Sequence, residues 1–133
     1  MNQQSKNKRW AGKTILLVDD DESCSILISE ILMLYQANFV YLRDGYKAIN
    51  YCMENKDIDV ILMDIKLHDI DGCKATKIIK KFLPKLPIVA FTAGLMPEER
   101  EECFKAGCDD LIPKPFSEEE FFNTLDKYLK LKF

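Results

Sequence analysis

Two tetrapeptides constrain this chain more than anything else in it. "VILM" at 60–63 and "IVAF" at 88–91 are apolar at every position. A strand with one wet face alternates apolar and polar residues. A strand that does not alternate is covered on both faces, which calls for a parallel sheet with helices on each side. The rest of the chain supplies those helices. Thr14–Val18 reads as a strand and Ser23–Tyr35 as a helix. Phe39–Leu42 and Tyr46–Asn55 make a second pair, Val60–Met63 and Cys73–Phe82 a third, and Ile88–Phe91 and Pro97–Lys105 a fourth. Leu111–Ile112 and Glu118–Leu131 complete the series. Five strand–helix units in one domain predict an α/β fold with right-handed crossovers.

Local signals agree. Pro97 suits a first helical position, with Glu98 and Glu99 at the positive end of the dipole. Ser117 and Glu120 form a capping box. Asp71-Gly72 and Gly107 fall where turns are needed. The 133 residues fit a single domain over 13–133, preceded by a flexible lead-in over 1–12 with Lys6, Lys8 and Arg9 exposed. That lead-in is basic but lacks the apolar segment of a signal peptide. No apolar run reaches the roughly 18 residues of a membrane span. The net charge of −3 argues against a nucleic-acid-binding face. Five cysteines, at 24, 52, 73, 103 and 108, contain no CxxC pair. They read as reduced cytosolic thiols packed as small hydrophobes, and the chain as cytoplasmic.

In an open parallel sheet the working crevice lies beyond the C-terminal ends of the strands. After the first strand stand Asp19, Asp20 and Asp21, after the third Asp64, after the fourth Thr92, and after the fifth Lys114 followed by Pro115. The second strand ends at Arg43 and Asp44, to which the sequence assigns no partner. Two carboxylates about 5 Å apart repel by roughly 3 kcal/mol at an effective dielectric near 20. Three must therefore be neutralised. A hard divalent cation, Mg²⁺ above all, does this with oxygen ligands and keeps waters that a phosphate can displace. A cation, an ammonium and a hydroxyl around one carboxylate make a site for a phosphoryl group, with Asp64 as nucleophile. Asp21 reads as a helix cap.

"ILLVDDDE", "VILMDIKLHDIDG", "IVAFTAG" and "GCDDLIPKPF" resemble the receiver domain of two-component response regulators. The resemblance runs from Lys13 to Leu131, with spacings of 44, 28 and 22 residues between Asp20, Asp64, Thr92 and Lys114. It implies a flavodoxin-like, doubly wound (βα)5 fold with strand order 2-1-3-4-5. It implies that Asp19 and Asp20 hold Mg²⁺ together with Asp64 and the backbone carbonyl of Lys66. It further implies that Asp64 is the phosphoacceptor, that Thr92 moves to the phosphoryl group, that Lys114 contacts a phosphoryl oxygen, and that the Lys114–Pro115 bond is cis. The implied donor is a sensor histidine kinase or histidine phosphotransfer protein. No substrate turnover is expected beyond the domain's own phosphorylation and dephosphorylation.

A flavin-binding electron carrier would share the fold, but "DDDES" repels a phosphate where such a carrier must cradle one. An aspartyl-phosphate phosphatase usually carries a second acid two residues after its nucleophile, where this chain has Lys66. Two positions depart from the family pattern. His68 replaces a frequent proline and reads as an exposed loop residue. Leu111 replaces a frequent aromatic and removes the hydroxyl of the usual rotamer switch. The kinase is expected to dock on the first helix, on a small-residue face of Ser25 and Ser29 beside Ile26. The output is expected on the fourth helix, fifth strand and fifth helix, through Gly94–Met96 and Pro115–Ser117. Part of the apolar set Phe121, Phe122, Leu125, Tyr128, Leu129 and Phe133, with Leu111, is expected to form a partner or dimer surface there. A chain ending at Phe133 leaves no room for an effector domain. The expectation is a stand-alone receiver, the alternative being the receiver of a hybrid sensor kinase.

Overall fold

The computed structural model describes residues 8–93 and 96–129. Strands β1 (Thr14–Val18), β2 (Asn38–Leu42), β3 (Val60–Asp64), β4 (Ile88–Ala93) and β5 (Asp110–Lys114) form one sheet. All pairings are parallel, in the order β2-β1-β3-β4-β5. Between and after them run α1 (Glu22–Leu34), α2 (Gly45–Glu54), α3 (Gly72–Phe82), α4 (Pro97–Ala106) and α5 (Glu118–Leu129). The unbroken apolar strands predict helices on both faces, and the doubly wound strand order is the one that the resemblance implies.

The two faces of the sheet build two cores. Ile15, Leu17, Val60, Leu62, Val89 and Phe91 point to one side and meet Ile28, Ile31 and Leu32 of α1 and Phe121, Leu125 and Leu129 of α5. Leu16, Val18, Ile61, Met63, Ile88 and Ala90 point to the other and meet Ala48, Ile49 and Cys52 of α2, Ala75 and Ile79 of α3 and Cys103 of α4. The alternation along each strand sets which helix each residue meets.

The helix starts follow the sequence signals. Asp21 caps α1 by accepting from the amides of Ser23 and Cys24 at 3.1 and 3.4 Å. Glu99 accepts from the Met96 amide ahead of Pro97. Ser117 and Glu120 exchange the two bonds of a capping box. Gly107 ends α4 at φ +115°, a left-handed conformation natural to glycine. β5 runs past Pro113, which a strand at the sheet edge tolerates because one side needs no ladder donor.

The lead-in is not free at its C-terminal end. Trp10 is fully buried, 5.3 Å from Phe122 in a stacked pair and 4.8 Å from Tyr35. Its indole N–H donates to Asp126 at 2.9 Å, and Arg9 grips the same carboxylate at 2.6 and 2.9 Å. The packed body therefore begins by Arg9 rather than at residue 13. Lys6 lies outside the described residues.

Two further expectations change. Ser25 does not face outward: it is buried, and its hydroxyl donates to the Glu22 carbonyl at 2.8 Å. The outward large apolar residues of α1 are Ile26, Leu27, Met33 and Leu34, of which Ile26 and Leu27 lie in its first half. On α5, Phe121, Leu125 and Leu129 are core, while Phe122 and Tyr128 pack against it. Phe133 lies outside the described residues. Leu111 packs on the opposite core. The exposed large apolar side chains near this end of the fold are Met96 and Phe104.

Candidate phosphoacceptor site

Four of the five strands bring their C-terminal ends to one acidic cluster. Asp19 leaves β1, Asp64 is the last residue of β3, Thr92 lies near the end of β4, and Lys114 closes β5. Ala93 pairs with Lys114 and Phe91 with Asp64, so register brings these ends side by side. Gly72 lets α3 start hard against the end of β3. Its amide donates to the Ile65 carbonyl at 2.8 Å, and a Cβ there would collide with the Asp64 carbonyl and with Ile65 Cα.

Asp19, Asp20 and Asp64 each offer a carboxylate oxygen within 4.8 Å of the others. Asp19 and Asp64 are buried. Asp19 Oδ1 accepts from the Asp21 amide at 3.0 Å, and Asp64 Oδ1 from the Lys66 amide at 3.1 Å. Lys114 Nζ lies 3.5 Å from Asp64 Oδ2 and 3.9 Å from Asp19 Oδ1, and 4.7 Å over the Phe91 ring. Asp19 Oδ2 is buried with no hydrogen-bond partner among the described residues.

Electrostatics register this shortage. Burial, joined by the neighbouring Asp64, pushes Asp19 up to about 7 against the pull of the Asp21 amide and Lys114. Burial alone would lower Lys114, but the carboxylates of Asp64 and Asp19 outweigh it and hold the ammonium above its usual range. A buried carboxylate oxygen with no donor, beside two more acids and one ammonium, suits a hard cation with oxygen ligands.

The structure thus brings together Asp19, Asp20, Asp64 and Lys114, with the Lys66 amide turned to Asp64. Thr92 is buried on the adjoining strand end. A second ring of contacts surrounds this group. His68 Nδ1 is 3.3 Å from Asp20 Oδ2, and its Nε2 is 2.9 Å from Asp44 Oδ1, so His68 is exposed but not unpartnered. Arg43 donates to the Asp20 carbonyl at 3.2 Å. Asp69 accepts from the amides of Gly45 and Tyr46, both at 3.0 Å, and caps α2 where Asp44 does not. These contacts join three loops, and no periodicity along the chain announces such a meeting. A lone His between acidic loop residues was the only signal.

A five-stranded parallel sheet with acids at the ends of β1 and β3, a buried threonine on β4 and a lysine on β5 is an α/β domain that gathers one acidic cluster at its strand ends. The family model for the response regulator receiver domain matches residues 15–126, and the chain belongs to that family. The transcription factor SKN7 of Candida albicans is 33% identical over 115 residues, which are 86% of this chain and 20% of SKN7. The polar-differentiation response regulator DivK of Brucella anthropi is 31% identical over 119 residues, 88% of this chain and 96% of DivK. The chain therefore spans about a fifth of the first relative and nearly all of the second. Among solved structures, the receiver domain of a sensor histidine kinase from Pseudomonas aeruginosa PAO1 superposes with a TM-score of 0.82 at 32% identity, covering 90% of this chain and 98% of that one. That crystal structure has a magnesium ion coordinated in its active site cleft. Among the described residues, no helix is long and apolar enough to cross a membrane.

Proposed function

We propose that Asp64 accepts a phosphoryl group from the phosphohistidine of a histidine kinase or histidine phosphotransfer protein. The observation that carries this reading is the buried Asp19 Oδ2, with no hydrogen-bond partner among the described residues, beside Asp64 and Lys114. An Asp64 oxygen attacks phosphorus, the P–N bond to the donor imidazole breaks, and an acyl phosphate forms as the imidazole leaves. Lys114 lies where it can move from Asp64 to a phosphoryl oxygen, and the Lys66 amide keeps the carboxylate oriented. Thr92 supplies a hydroxyl at the adjoining strand end. Asp19, Asp20, Asp64 and the Lys66 carbonyl would hold Mg²⁺. When bound, the ion neutralises the cluster and the charge of the incoming phosphoryl oxygens. Transfer from a phosphohistidine donor with Mg²⁺ should label the wild type and fail on Asp64→Asn. Undiminished labelling of that variant overturns the assignment.

The donor docks on α1 beside the site, where Ile26 and Leu27 are exposed. Ile26→Asp should slow transfer from the protein donor and leave labelling by a small phosphodonor intact. Equal loss of both would show damage to the site itself. The output surface is α4, β5 and α5, and Phe104 is the large apolar side chain that α4 leaves exposed for a partner or a second copy. Leu111 cannot make a tyrosine-type exchange, so the shift between states is small, on the order of 1–3 kcal/mol. The loop residues Gly94 and Leu95, through which Thr92 was expected to act, lie outside the described residues.

A further inference from the structure

One cluster of reactive groups takes no part in phosphotransfer. Cys73 opens α3, Cys103 lies in the second half of α4, and their sulfurs are 3.2 Å apart. A third thiol, Cys108, is turned toward Thr76 Oγ1 at 3.9 Å. All five cysteines are free thiols. Cys103 is fully buried, whereas Cys73 is half-buried. Cys73 lines two shallow clefts, one beside Asp71, Glu99 and Glu102, the other beside Lys74 and Lys77. An oxidant of a few atoms can thus reach Cys73 from solvent, while Cys103 is closed off from it.

The position of the pair gives it leverage. The Cys73 amide is held by Asp71 at 2.7 Å, and the preceding Gly72 is seated against the Asp64 carbonyl. Cys73 is therefore fixed to the strand end that carries the phosphoacceptor. Cys103 rides on α4, the helix that follows Thr92 and belongs to the output surface. A disulfide is about 2.05 Å long, so the sulfurs need approach by only about one ångström. Closing it would tie α4 to the end of β3.

We propose that Cys73 and Cys103 are a redox-active dithiol that hydrogen peroxide closes to a disulfide, fixing α4 against α3 and suppressing its response to phosphorylation of Asp64. The regulatory half rests on the phosphoacceptor reading given above. The Cys73 sulfur attacks one peroxide oxygen, the O–O bond breaks, and a sulfenic acid and one water result. The Cys103 sulfur then attacks the sulfenic sulfur, the S–O bond breaks, and the disulfide forms as a second water leaves. Two thiols lose two electrons and two protons, and the peroxide is reduced to two waters. A thiol reductant reverses the bond. Burial and the hydrogen bond to Cys103 push the Cys73 thiol well above its ordinary range, and burial raises Cys103 as well. Both shifts disfavour the thiolate, the form that attacks peroxide.

The full chain is treated with hydrogen peroxide, digested without reductant and mapped by mass spectrometry. The expected product is a Cys73–Cys103 linked peptide, lighter by two hydrogens, that is lost on reduction and in Cys73→Ser and Cys103→Ala but retained in Cys108→Ala. No linked peptide, or one that survives Cys73→Ser, overturns the proposal and leaves the pair a packing contact. Amide chemical shifts of α4 are then compared with and without beryllofluoride and Mg²⁺ in both redox states. The expected result is a clear response in the reduced protein and at least a several-fold smaller one in the oxidised protein, restored by reductant. A full response in the oxidised protein overturns the regulatory half alone. If a small phosphodonor fails to label Asp64 even in the reduced protein, the phosphoacceptor reading falls and the regulatory half with it, while the mapped bond stands.

Discussion

Asp126 and Asp19 are both carboxylates largely withdrawn from water, and they are treated in opposite ways. Asp126, with its side chain 14% exposed, accepts from the Trp10 indole and from two nitrogens of Arg9 at 2.6–2.9 Å. Asp19 is fully buried, yet one oxygen has a single amide and a lysine at 3.9 Å, and the other has no hydrogen-bond partner among the described residues. Donors around the first tie the chain's beginning to α5. The shortage around the second makes a place for a positive charge that the fold does not supply. A buried acid surrounded by donors belongs to the architecture, and one left short belongs to the chemistry.

Substitutions at the two regions should separate stability from function. The largest effect is expected from Trp10→Ala, which empties the space between Tyr35 and Phe122. Such truncations destabilise by about 3–5 kcal/mol. Urea unfolding should show this loss while Mg²⁺ affinity of the folded protein stays unchanged. A change in affinity would mean that the two regions are linked.

Next comes pH dependence at Asp19 in metal-free protein. Its folded value of about 7 stands above the unfolded value of 3.8. Between about pH 4 and 7 the folded state keeps a proton that the unfolded chain has lost. This contribution is therefore complete below about pH 4 and disappears as pH rises through 7. The full shift corresponds to at most about 4 kcal/mol. Unfolding free energies across this range should fall in the wild type and stay flatter in Asp19→Asn, with Mg²⁺ reversing the loss. Equal slopes in both proteins would contradict the picture of Asp19.

Asp126→Ala comes third, at about 1–3 kcal/mol, because it strands the buried indole N–H. It should shift the urea midpoint without altering phosphoryl labelling. The smallest effect is expected from His68→Ala. This side chain is 59% exposed, and exposed pairs contribute about 1 kcal/mol or less. A destabilisation much larger than that would show that the bridge between Asp20 and Asp44 organises the loops.

How much of this was legible follows from where each signal sits along the chain. Strand runs such as "VILM" state their own burial, and the acids and the lysine directly follow such runs, so the fold and the central residues could be read locally. Trp10 could not, because a single aromatic in a basic segment carries no period. Its place is set by Tyr35, Phe122 and Asp126, far along the chain. Ser25 was misplaced because its residue type suggested a surface. The helical phase shared with Ile28 and Leu32 turns it inward, and the Glu22 carbonyl satisfies its hydroxyl. The reading Leu111–Ile112 for β5 is three residues short, two of them because Pro113 looks like a strand end. The partners of His68 come from two other loops. The cysteines gave no CxxC signal because Cys73 and Cys103 meet across two helices.

Phosphorylation of Asp64 in the acidic cluster is what the other expectations depend on. The most direct measurement incubates the full chain with a small-molecule phosphodonor, with and without Mg²⁺, then reduces the acyl phosphate with borohydride and locates the product by mass spectrometry. Homoserine at position 64 is expected when Mg²⁺ is present and none after chelation. Reduction at another carboxylate, or labelling of Asp64 that ignores the chelator, would contradict it.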